Sequence, residues 1–339
     1  MKYSYSSFFL SFLSFLSFLG VLFVISACEK EQVLQDYTLK GAVFGTTYKI
    51  VYLKGATNYQ KSIDSLFLKM NASLSTYIPT SDISKINNGE SAIVVDAYFM
   101  EVFEKSKRIF KETDGFFDPT VGNLVNAWGF GPKNEKFDLT AVQVARQMQF
   151  VGLDKVHSLE GRIVKAYPEI YLDFNSIAKG FGIDVVARFL ESKNITSYLV
   201  EIGGEIRTNG FKDLQQPWII KLVDPIASEF NSGYKKINLS NKSMATSGNY
   251  RKYRITDTGK KYVHTINPKT GYAIESTLLS VSVIAAMDCA DVDAYATAFM
   301  AMGLESTKAF LDNNPKLEVI LLYANSTGDL EEYTNYKSK

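Results

Sequence analysis

A carboxylate and a hydroxyl spaced one helical turn apart offer the most direct chemistry in this sequence. Asp293 and Thr297 are four residues apart, so on a helix their side chains share one face. Their oxygens are hard ligands of the kind that Mg²⁺ prefers beside substrate phosphates. Asp288 precedes this stretch and is predicted to be the helix N-cap. The spacing therefore predicts a metal-binding face on a helix over residues 288–303.

The same stretch also fits a helix that only packs. Small residues recur every four positions along it, at Ala286, Ala290, Ala294 and Ala298. Residues at this spacing form one stripe, which would let another backbone approach closely. Taken by itself the helix favours this packing interpretation, and the metal-binding interpretation stays open beside it.

A second candidate site lies at residues 171–188, where a strand is predicted to lead into a helix. The strand is indicated by the alternation of Ile170, Leu172 and Phe174 with polar positions. Gly180 and Gly182 suit a tight turn before the helix. A helix start offers unpaired N–H groups and a positive dipole end, which makes it a natural phosphate seat. Many such turns bind nothing, so an ordinary turn remains the alternative.

Composition places the chain among globular proteins. It has 339 residues, of which 46% are hydrophobic and 22% charged, enough to bury a sizeable core. The net charge is +1 and indicates no nucleic-acid surface. No G-x-G-x-x-G, P-loop or zinc signature is present. The succession of helices and many adjacent strands predicts an α+β fold rather than a doubly wound sheet.

The pattern of the first 27 residues predicts a secretory signal. Lys2 precedes an apolar run over Phe8–Ile25, and small residues stand immediately before Cys28. This ending resembles a bacterial lipoprotein cleavage site, which implies a lipidated Cys28 followed by a polar tether over residues 28–36. The alternative is an uncleaved signal anchor. Cys289 then has no disulfide partner and is predicted to be a buried, small apolar residue.

Several motifs occur together in one order. They are LSTYIPTSDISKIN, DGFFDPTVGNLVNAWGFG, YLDFNSIAKGFGID, VEIGGEIRTNG, ATSGNYRKY, HTINPKTG and ADVDAYATA, and they span Phe44 to Gly303. The set resembles the FAD:protein FMN transferase family, the ApbE-like flavin transferases once called thiamine biosynthesis lipoproteins. The resemblance implies a duplicated, T-fold-related α+β fold with mixed or antiparallel sheets and packed helices. It implies one catalytic domain over residues 37–331, followed by a frayed polar tail over residues 332–339.

The resemblance also implies a reaction. The FMN moiety of FAD would be transferred, with Mg²⁺, to a Thr or Ser hydroxyl of an exported or membrane-bound acceptor protein, and AMP would leave. Two alternatives remain open: a flavin-binding lipoprotein without transfer activity, and a Mg²⁺-dependent FAD pyrophosphatase. The implied location is the cell envelope, with the lipid anchor in the inner membrane and the protein facing the periplasm.

Residue roles follow from the resemblance position by position. The implied flavin contacts are Phe44, Tyr77, Phe116, Phe117, Asp118, Thr120, Asp173, Lys179 and Ile266. The implied metal ligands are Asp293, Thr297 and a backbone carbonyl near Ser176. The implied catalytic residues are His264 and Asp293. The chain departs from the family at Phe44, where methionine is usual, and at Asn267, where aspartate is usual.

Replacing Cys28 tests the predicted anchor. Cys28→Ser removes the sulfur that would carry lipid, so we expect the protein to leave the membrane fraction or to keep its leader. Palmitate labelling and membrane fractionation measure both outcomes, with Cys289→Ala as the control that removes the other cysteine. A Cys28→Ser variant that still incorporates palmitate and sediments with membranes contradicts the lipoprotein interpretation.

Overall fold

The structure, a computed structural model, describes residues 33–131, 139–213, 215–225, 233–248, 253–255, 261–274 and 277–337. The predicted signal peptide, the predicted lipidation site Cys28 and the end of the ATSGNYRKY motif lie outside these ranges. No helix among the described residues is long and apolar enough to cross a membrane.

Fourteen strands occur within the described ranges. They are β1 (Gln35–Val43), β2 (Thr46–Gly55), β3 (Val156–Leu159), β4 (Arg162–Lys165), β5 (Tyr198–Ile202), β6 (Glu205–Asn209), β7 (Trp218–Val223), β8 (Gly233–Leu239), β9 (Ser243–Gly248), β10 (Tyr253–Ile255), β11 (Lys261–Val263), β12 (Leu278–Ala285), β13 (Glu318–Ala324) and β14 (Leu330–Thr334). Eight of them form one sheet in the order β1-β2-β5-β6-β9-β12-β13-β14. Each neighbouring pair in this sheet is antiparallel.

The described residues also form eight α-helices. They are α1 (Gln60–Leu74), α2 (Asp82–Asn87), α3 (Ala97–Glu112), α4 (Gly122–Ala127), α5 (Ala141–Met148), α6 (Ala178–Glu191), α7 (Cys289–Met302) and α8 (Leu304–Asp312). The helices and the antiparallel sheet together confirm the predicted α+β class. The predicted helix over residues 288–303 is confirmed as α7, and its neighbour α6 begins inside the predicted turn.

Both faces of the large sheet are covered. Successive residues of a strand point to opposite faces, and Val283 and Ile284 of β12 accordingly lie in two different cores. The larger core lies on the side of α6 and α7. The smaller core lies on the other side, where Ile220 and Leu222 of the β7–β8 hairpin cover the sheet.

Helices α6 and α7 are in backbone contact. A Cβ placed on Gly180 would lie 2.4 Å from the carbonyl oxygen of Cys289, so only glycine fits at this crossing. Ala290, Ala294 and Ala298 of α7 are all fully buried. The packing interpretation is thus confirmed for these three alanines, whereas Ala286 precedes the helix and is exposed. Cys289 is buried, as predicted.

The predicted strand before α6 is wrong. Residues 170–174 alternate between buried and half-buried, but they form only an isolated bridge from Tyr171 to Val121. The Asn87 side chain pairs with both the N–H and the carbonyl of Leu172, at 2.8 Å each, in place of a neighbouring strand. Alternation correctly predicted which side chains are buried, but the hydrogen-bond partners came from a distant side chain.

Three predicted boundaries also differ. The fold begins at β1, so Gln35 and Asp36 belong to a strand rather than to the tether. The sequence over residues 230–236 predicts a surface loop, but residues 233–236 lie in β8. The predicted frayed tail 332–339 begins inside β14, which pairs with β13 as far as Thr334. In each case a polar stretch is an exposed part of a strand, which polarity does not distinguish from a loop.

The contact between α6 and α7 predicts different costs for two glycines of one helix. At Gly180 an added Cβ meets the backbone of α7, which cannot move aside, so Gly180→Ala is expected to destabilise the protein by about 1–3 kcal/mol. At Gly182 the nearest atom is the ring edge of Phe44, at 2.7 Å, which can turn away. Gly182→Ala is therefore the matched control with a smaller loss. Urea unfolding followed by circular dichroism measures both, and equal midpoints would contradict the backbone contact.

Candidate active site

A cleft of about 1150 Å³ opens where the start of α6, the middle of α7 and the β5–β6 turn meet. Every residue predicted for flavin, metal or catalytic contact except Thr120 lines it. These residues are Phe44, Tyr77, Phe116, Phe117, Asp118, Asp173, Ser176, Lys179, His264, Ile266, Asp293 and Thr297. They come from parts of the chain up to 253 positions apart (297 − 44 = 253) and meet only in the fold. The fold thus brings them together, while their roles stay predictions.

The helix α7 presents the predicted pair to the cleft. Asp293 is 2% exposed, and its Oδ2 accepts the Gly180 N–H at 3.1 Å. Thr297 lies one turn further along, with its Oγ1 3.4 Å from the Oγ of Ser247 on β9. No donor among the described residues pairs with Asp293 Oδ1. The α7 face therefore offers one carboxylate oxygen and a hydroxyl to a ligand.

At the predicted phosphate-binding site, the start of α6, two backbone N–H groups already donate to groups of the protein. The Ala178 N–H donates to the carbonyl of Phe174 at 2.8 Å, and the Gly180 N–H donates to Asp293. A carboxylate at a helix N-terminus is stabilised by the helix dipole. The anion at this helix start is thus a side chain of the protein, and the backbone donors of residues 178 and 180 are engaged.

A lysine lies between two buried carboxylates in the cleft. Lys179 Nζ is 3.7 Å from Asp293 Oδ2 and 3.5 Å from Glu205 Oε1. Burial lowers the pKa of Lys179, but the charges of Asp293 and Glu205 outweigh it and the pKa lies above its ordinary value. Burial raises the pKa of Glu205 although the Lys179 ammonium lowers it, and burial also raises the pKa of Asp293.

Sequence reasoning missed Glu205 as a site residue. It follows Gly203 and Gly204, and its place at the start of β6 suggested only a returning strand. The one available signal was an acidic residue at a strand position whose neighbour is apolar and buried, because such a carboxylate requires a partner. The partner, Lys179, is 26 positions earlier (205 − 179 = 26) and is brought close only by the α6–β6 contact.

Aromatic side chains line the other part of the cleft. Tyr77 is 59% exposed, so one ring face is available to a ligand. The ammonium of Lys269 lies 5.6 Å from the centre of the Phe116 ring. The His264 ring lies 6.5 Å from that of Phe130, edge to face. The imidazole therefore lies in the same cleft as Asp293, beside an aromatic wall.

Two of the predicted flavin contacts serve the turn that carries them. Asp118 is buried, and its Oδ1 accepts from both the N–H and the hydroxyl of Thr120, at 2.8 and 2.6 Å. The Thr120 hydroxyl accepts in turn from Gly152 N–H at 2.7 Å. Thr120 is fully buried and outside the cleft lining, so its predicted contact is wrong. The hydroxyl fixes the turn and is unavailable to a ligand.

The start of α7 is capped from a neighbouring helix. Asp184 of α6 is fully buried and accepts the N–H groups of Cys289 and Ala290 at 2.8 and 2.9 Å. Burial raises its pKa to about 6, even though Arg207 Nη1 lies 2.6 Å from Oδ1. Asp288 occupies the N-cap position, as predicted, but its side chain caps nothing.

The Asp288 carboxylate instead joins a chain of ion pairs. It accepts from Lys105 of α3 and from Arg207 of β6, each at 2.8 Å. Lys105 also lies 3.1 Å from Asp291 on the first turn of α7. These pairs fix α7 to both α3 and β6. The helix that carries Asp293 and Thr297 is therefore held at its first turn by three different elements.

The described residues contain no group of three or more His, Cys, Asp or Glu side chains arranged to hold a metal ion. A cage of protein carboxylates is thus missing from this part of the chain. The oxygen groups that surround Lys179 and Thr297 in the cleft include the carboxylates of Asp293 and Glu205 and the hydroxyls of Thr297 and Ser247.

Comparison with known proteins agrees with the expected resemblance. A family model described as the ApbE family matches residues 44–321. The chain belongs to the ApbE family. The match spans every residue that lines the cleft except Leu322. The family predicted from the seven motifs is thus confirmed.

Curated relatives extend over nearly the whole chain. The FAD:protein FMN transferases of Haemophilus influenzae and Vibrio cholerae are each 35% identical to it, over 90% and 94% of this chain and 90% and 96% of theirs. That of Escherichia coli K12 is 30% identical over 85% of this chain and 86% of its own.

Solved structures share the fold. The flavin transferase ApbE from Vibrio cholerae has a TM-score of 0.79 at 33% identity, covering 89% of this chain and 97% of that one. The apo form of the Pseudomonas stutzeri flavinyl transferase ApbE also has a TM-score of 0.79, at 29% identity, covering 89% and 96%.

The buried Asp118 predicts a pH dependence of stability. Its pKa rises from 3.8 to about 6 in the folded protein because burial disfavours the charge. Between these values the folded state holds a proton that the unfolded state has lost, so the contribution of Asp118 to stability falls as pH rises. Asp118→Asn keeps an acceptor for Thr120 and removes the titration. Relative to wild type, the variant should gain about 2 kcal/mol between pH 4.5 and pH 7.5.

Urea unfolding of both proteins at pH 4.5, 6 and 7.5 measures this gain. The comparison cancels the other buried carboxyl groups, which titrate in both proteins. A difference between the two free energies of unfolding that stays constant with pH would contradict the raised pKa.

Proposed function

We propose that this protein transfers the FMN moiety of FAD to a threonine or serine hydroxyl of a partner protein and releases AMP, in a reaction that needs Mg²⁺. The observation that carries the proposal is the cleft itself. Its lining combines the Asp293–Thr297 face of α7 and the nearby Lys179 with the aromatic rings of Tyr77 and Phe116. A dinucleotide with a flat flavin and a charged pyrophosphate needs both kinds of surface. Membership of the ApbE family supports the same assignment.

The donor set of the cleft fits a magnesium ion shared with a substrate. Mg²⁺ usually takes one or two carboxylates, keeps several waters and uses substrate phosphates as further ligands. Asp293 Oδ1 and the Thr297 hydroxyl would hold it, and a main-chain carbonyl near Ser176 would be a third ligand. When bound, the ion neutralises phosphate charge and favours displacement at phosphorus.

The chain's own residues bind and orient the reactants. Tyr77 and Phe116 would stack on the flavin, and the Lys179 ammonium would face the pyrophosphate. The acceptor hydroxyl attacks the FMN-side phosphorus, the P–O–P bond breaks, and AMP leaves with its own phosphate. FMN stays joined to the acceptor by a phosphoester. His264 would accept the hydroxyl proton, since its ring lies in the same cleft.

This chemistry needs no nucleophile from the enzyme. Phosphoryl transfer depends mainly on positioning and on electrostatic stabilisation. Ser247 of β9 lines the cleft, but its hydroxyl lies 3.4 Å from that of Thr297 and pairs with no base among the contacts of the described residues. The arrangement favours direct transfer between FAD and the acceptor.

We also propose that the protein works in the cell envelope, held by lipid on Cys28. The apolar leader and the small residues before Cys28 support this placement. An anchored enzyme would meet acceptors that are themselves exported or membrane-bound.

One incubation separates the proposed function from its two alternatives. The purified protein is mixed with FAD, Mg²⁺ and the exported proteins of its source organism, and a matched sample contains EDTA. AMP together with a protein band carrying covalent flavin fluorescence supports transfer. AMP with free FMN and no labelled band supports hydrolysis, and no AMP supports a binding protein. Either of the last two results contradicts the proposal.

The α7 face gives a sharper prediction. Asp293→Ala removes the anionic ligand, whose loss costs several kcal/mol of transition-state stabilisation, so transfer should fall by roughly a hundredfold or more. Thr297→Ala removes a neutral ligand, and raised Mg²⁺ should restore part of its rate. Thr297→Val is nearly isosteric with threonine and should behave like Thr297→Ala.

Rates of AMP release across a Mg²⁺ series measure these effects, and circular dichroism checks that each variant is folded. A folded Asp293→Ala variant with full activity would contradict the proposed metal site. A Thr297→Val variant with the wild-type Mg²⁺ dependence would assign Thr297 to packing.

A further inference from the structure

The cleft contains a buried carboxylate, that of Glu205, to which the proposed reaction gives no role. Glu205 is 4% exposed and lines the cleft. Its Oε2 is buried and has no hydrogen-bond partner among the described residues. A buried carboxylate with an unsatisfied oxygen is costly to the folded state. A packing role alone would be filled better by an apolar side chain, so the charge itself needs an explanation.

The backbone around Glu205 is shaped to hold it there. Gly203 and Gly204 have φ of 64° and 103°, which favour glycine. A Cβ on Gly203 would lie 2.9 Å from the Thr46 methyl and 3.4 Å from Glu205 Oε2. The glycine pair thus makes the β5–β6 turn that leads into Glu205, and the Thr46 methyl excludes a side chain at Gly203.

Glu205 contacts Lys179, and it shares this lysine with Asp293. Its Oε1 lies 3.5 Å from Lys179 Nζ, and the same ammonium lies 3.7 Å from Asp293 Oδ2. Charge-assisted hydrogen bonds between such groups are usually about 2.7–2.9 Å long. Lys179 is therefore held between the two carboxylates and closely bound to neither. Its position depends on the balance of two attractions.

We propose that Glu205 is a positioning residue for the cation site, which draws the Lys179 ammonium away from Asp293 and so leaves the Asp293 carboxylate available to a divalent cation. This inference rests on the proposed function, in which Asp293 holds Mg²⁺. Lys179 and Mg²⁺ compete for the same carboxylate. With Glu205 neutralised, the ammonium has one anionic partner left in the cleft and moves onto Asp293.

The test is the affinity of the full chain for Mn²⁺, used as a spectroscopic stand-in for Mg²⁺ and titrated without FAD. Electron paramagnetic resonance measures free Mn²⁺, and competition with Mg²⁺ confirms the shared site. Glu205→Gln should weaken Mn²⁺ binding roughly tenfold, within the coupling range for members of one ion-pair network. Glu205→Asp keeps the charge but shortens the reach to Lys179, so its Mn²⁺ affinity should lie between those of wild type and Glu205→Gln. This variant remains informative if Glu205→Gln does not fold.

Two further variants separate a role through Lys179 from a simple change of charge. Glu201→Gln removes the same charge from the same cleft, but Glu201 accepts the Gly204 N–H and does not contact Lys179. It should stay within about twofold of wild type, which is the size of a weak, solvent-screened charge effect. In the Lys179→Met background, Glu205→Gln should no longer weaken Mn²⁺ binding, because the competing ammonium is absent.

The outcomes are distinct. If Glu205→Gln still weakens binding in the Lys179→Met background, or if Glu201→Gln weakens it as much, Glu205 acts only through its charge and the inference is overturned. Unchanged affinity in Glu205→Gln also overturns it while leaving the proposed function intact. A wild-type protein that binds no Mn²⁺ or Mg²⁺ without FAD overturns this inference, and one that binds neither ion even with FAD present overturns the proposed metal site as well.

Discussion

The cleft depends on the backbone contact between α6 and α7. Gly180 lets α6 lie directly against the carbonyl of Cys289, and Asp184 of the same helix caps the first turn of α7. Because Gly180 and Asp184 both lie on α6 and both contact the first turn of α7, the register of α6 against α7 is fixed. That register brings the Asp293 carboxylate to the Gly180 N–H at the start of α6. A shift of one residue in either helix would separate the carboxylate from its partners.

Electrostatics in the cleft follow from this packing. Burial disfavours every charge, so each carboxylate must be balanced by a cation or accept a proton. The α6–α7 junction supplies Arg207 to Asp184, and the cleft supplies a single Lys179 to two carboxylates. Asp293 and Glu205 thus have one nearby ammonium between them, and this arrangement suits a site whose proposed ligand is a divalent cation.

Local sequence patterns predicted part of this site. The spacing of Asp293 and Thr297 predicted their common face, because helical periodicity is a local property. Glu205 and Asp184 escaped prediction because their roles depend on partners brought close by tertiary packing. The strand predicted at residues 170–174 was wrong for a related reason. Its alternation correctly predicted burial, but only the fold shows that a side chain of α2, Asn87, takes the place of a neighbouring strand.

The first strand also sets a distance. β1 enters the fold at Gln35 and ends at Val43, directly before Phe44 on the cleft lining. At about 3.3 Å per residue, its nine residues span roughly 30 Å. On a chain anchored through Cys28, the strand would act as a rigid spacer between the point of attachment and the cleft. Such a spacer would set how far from the bilayer an acceptor must present its hydroxyl. The distance of that hydroxyl from the membrane would then select among acceptors, in addition to the sequence around it.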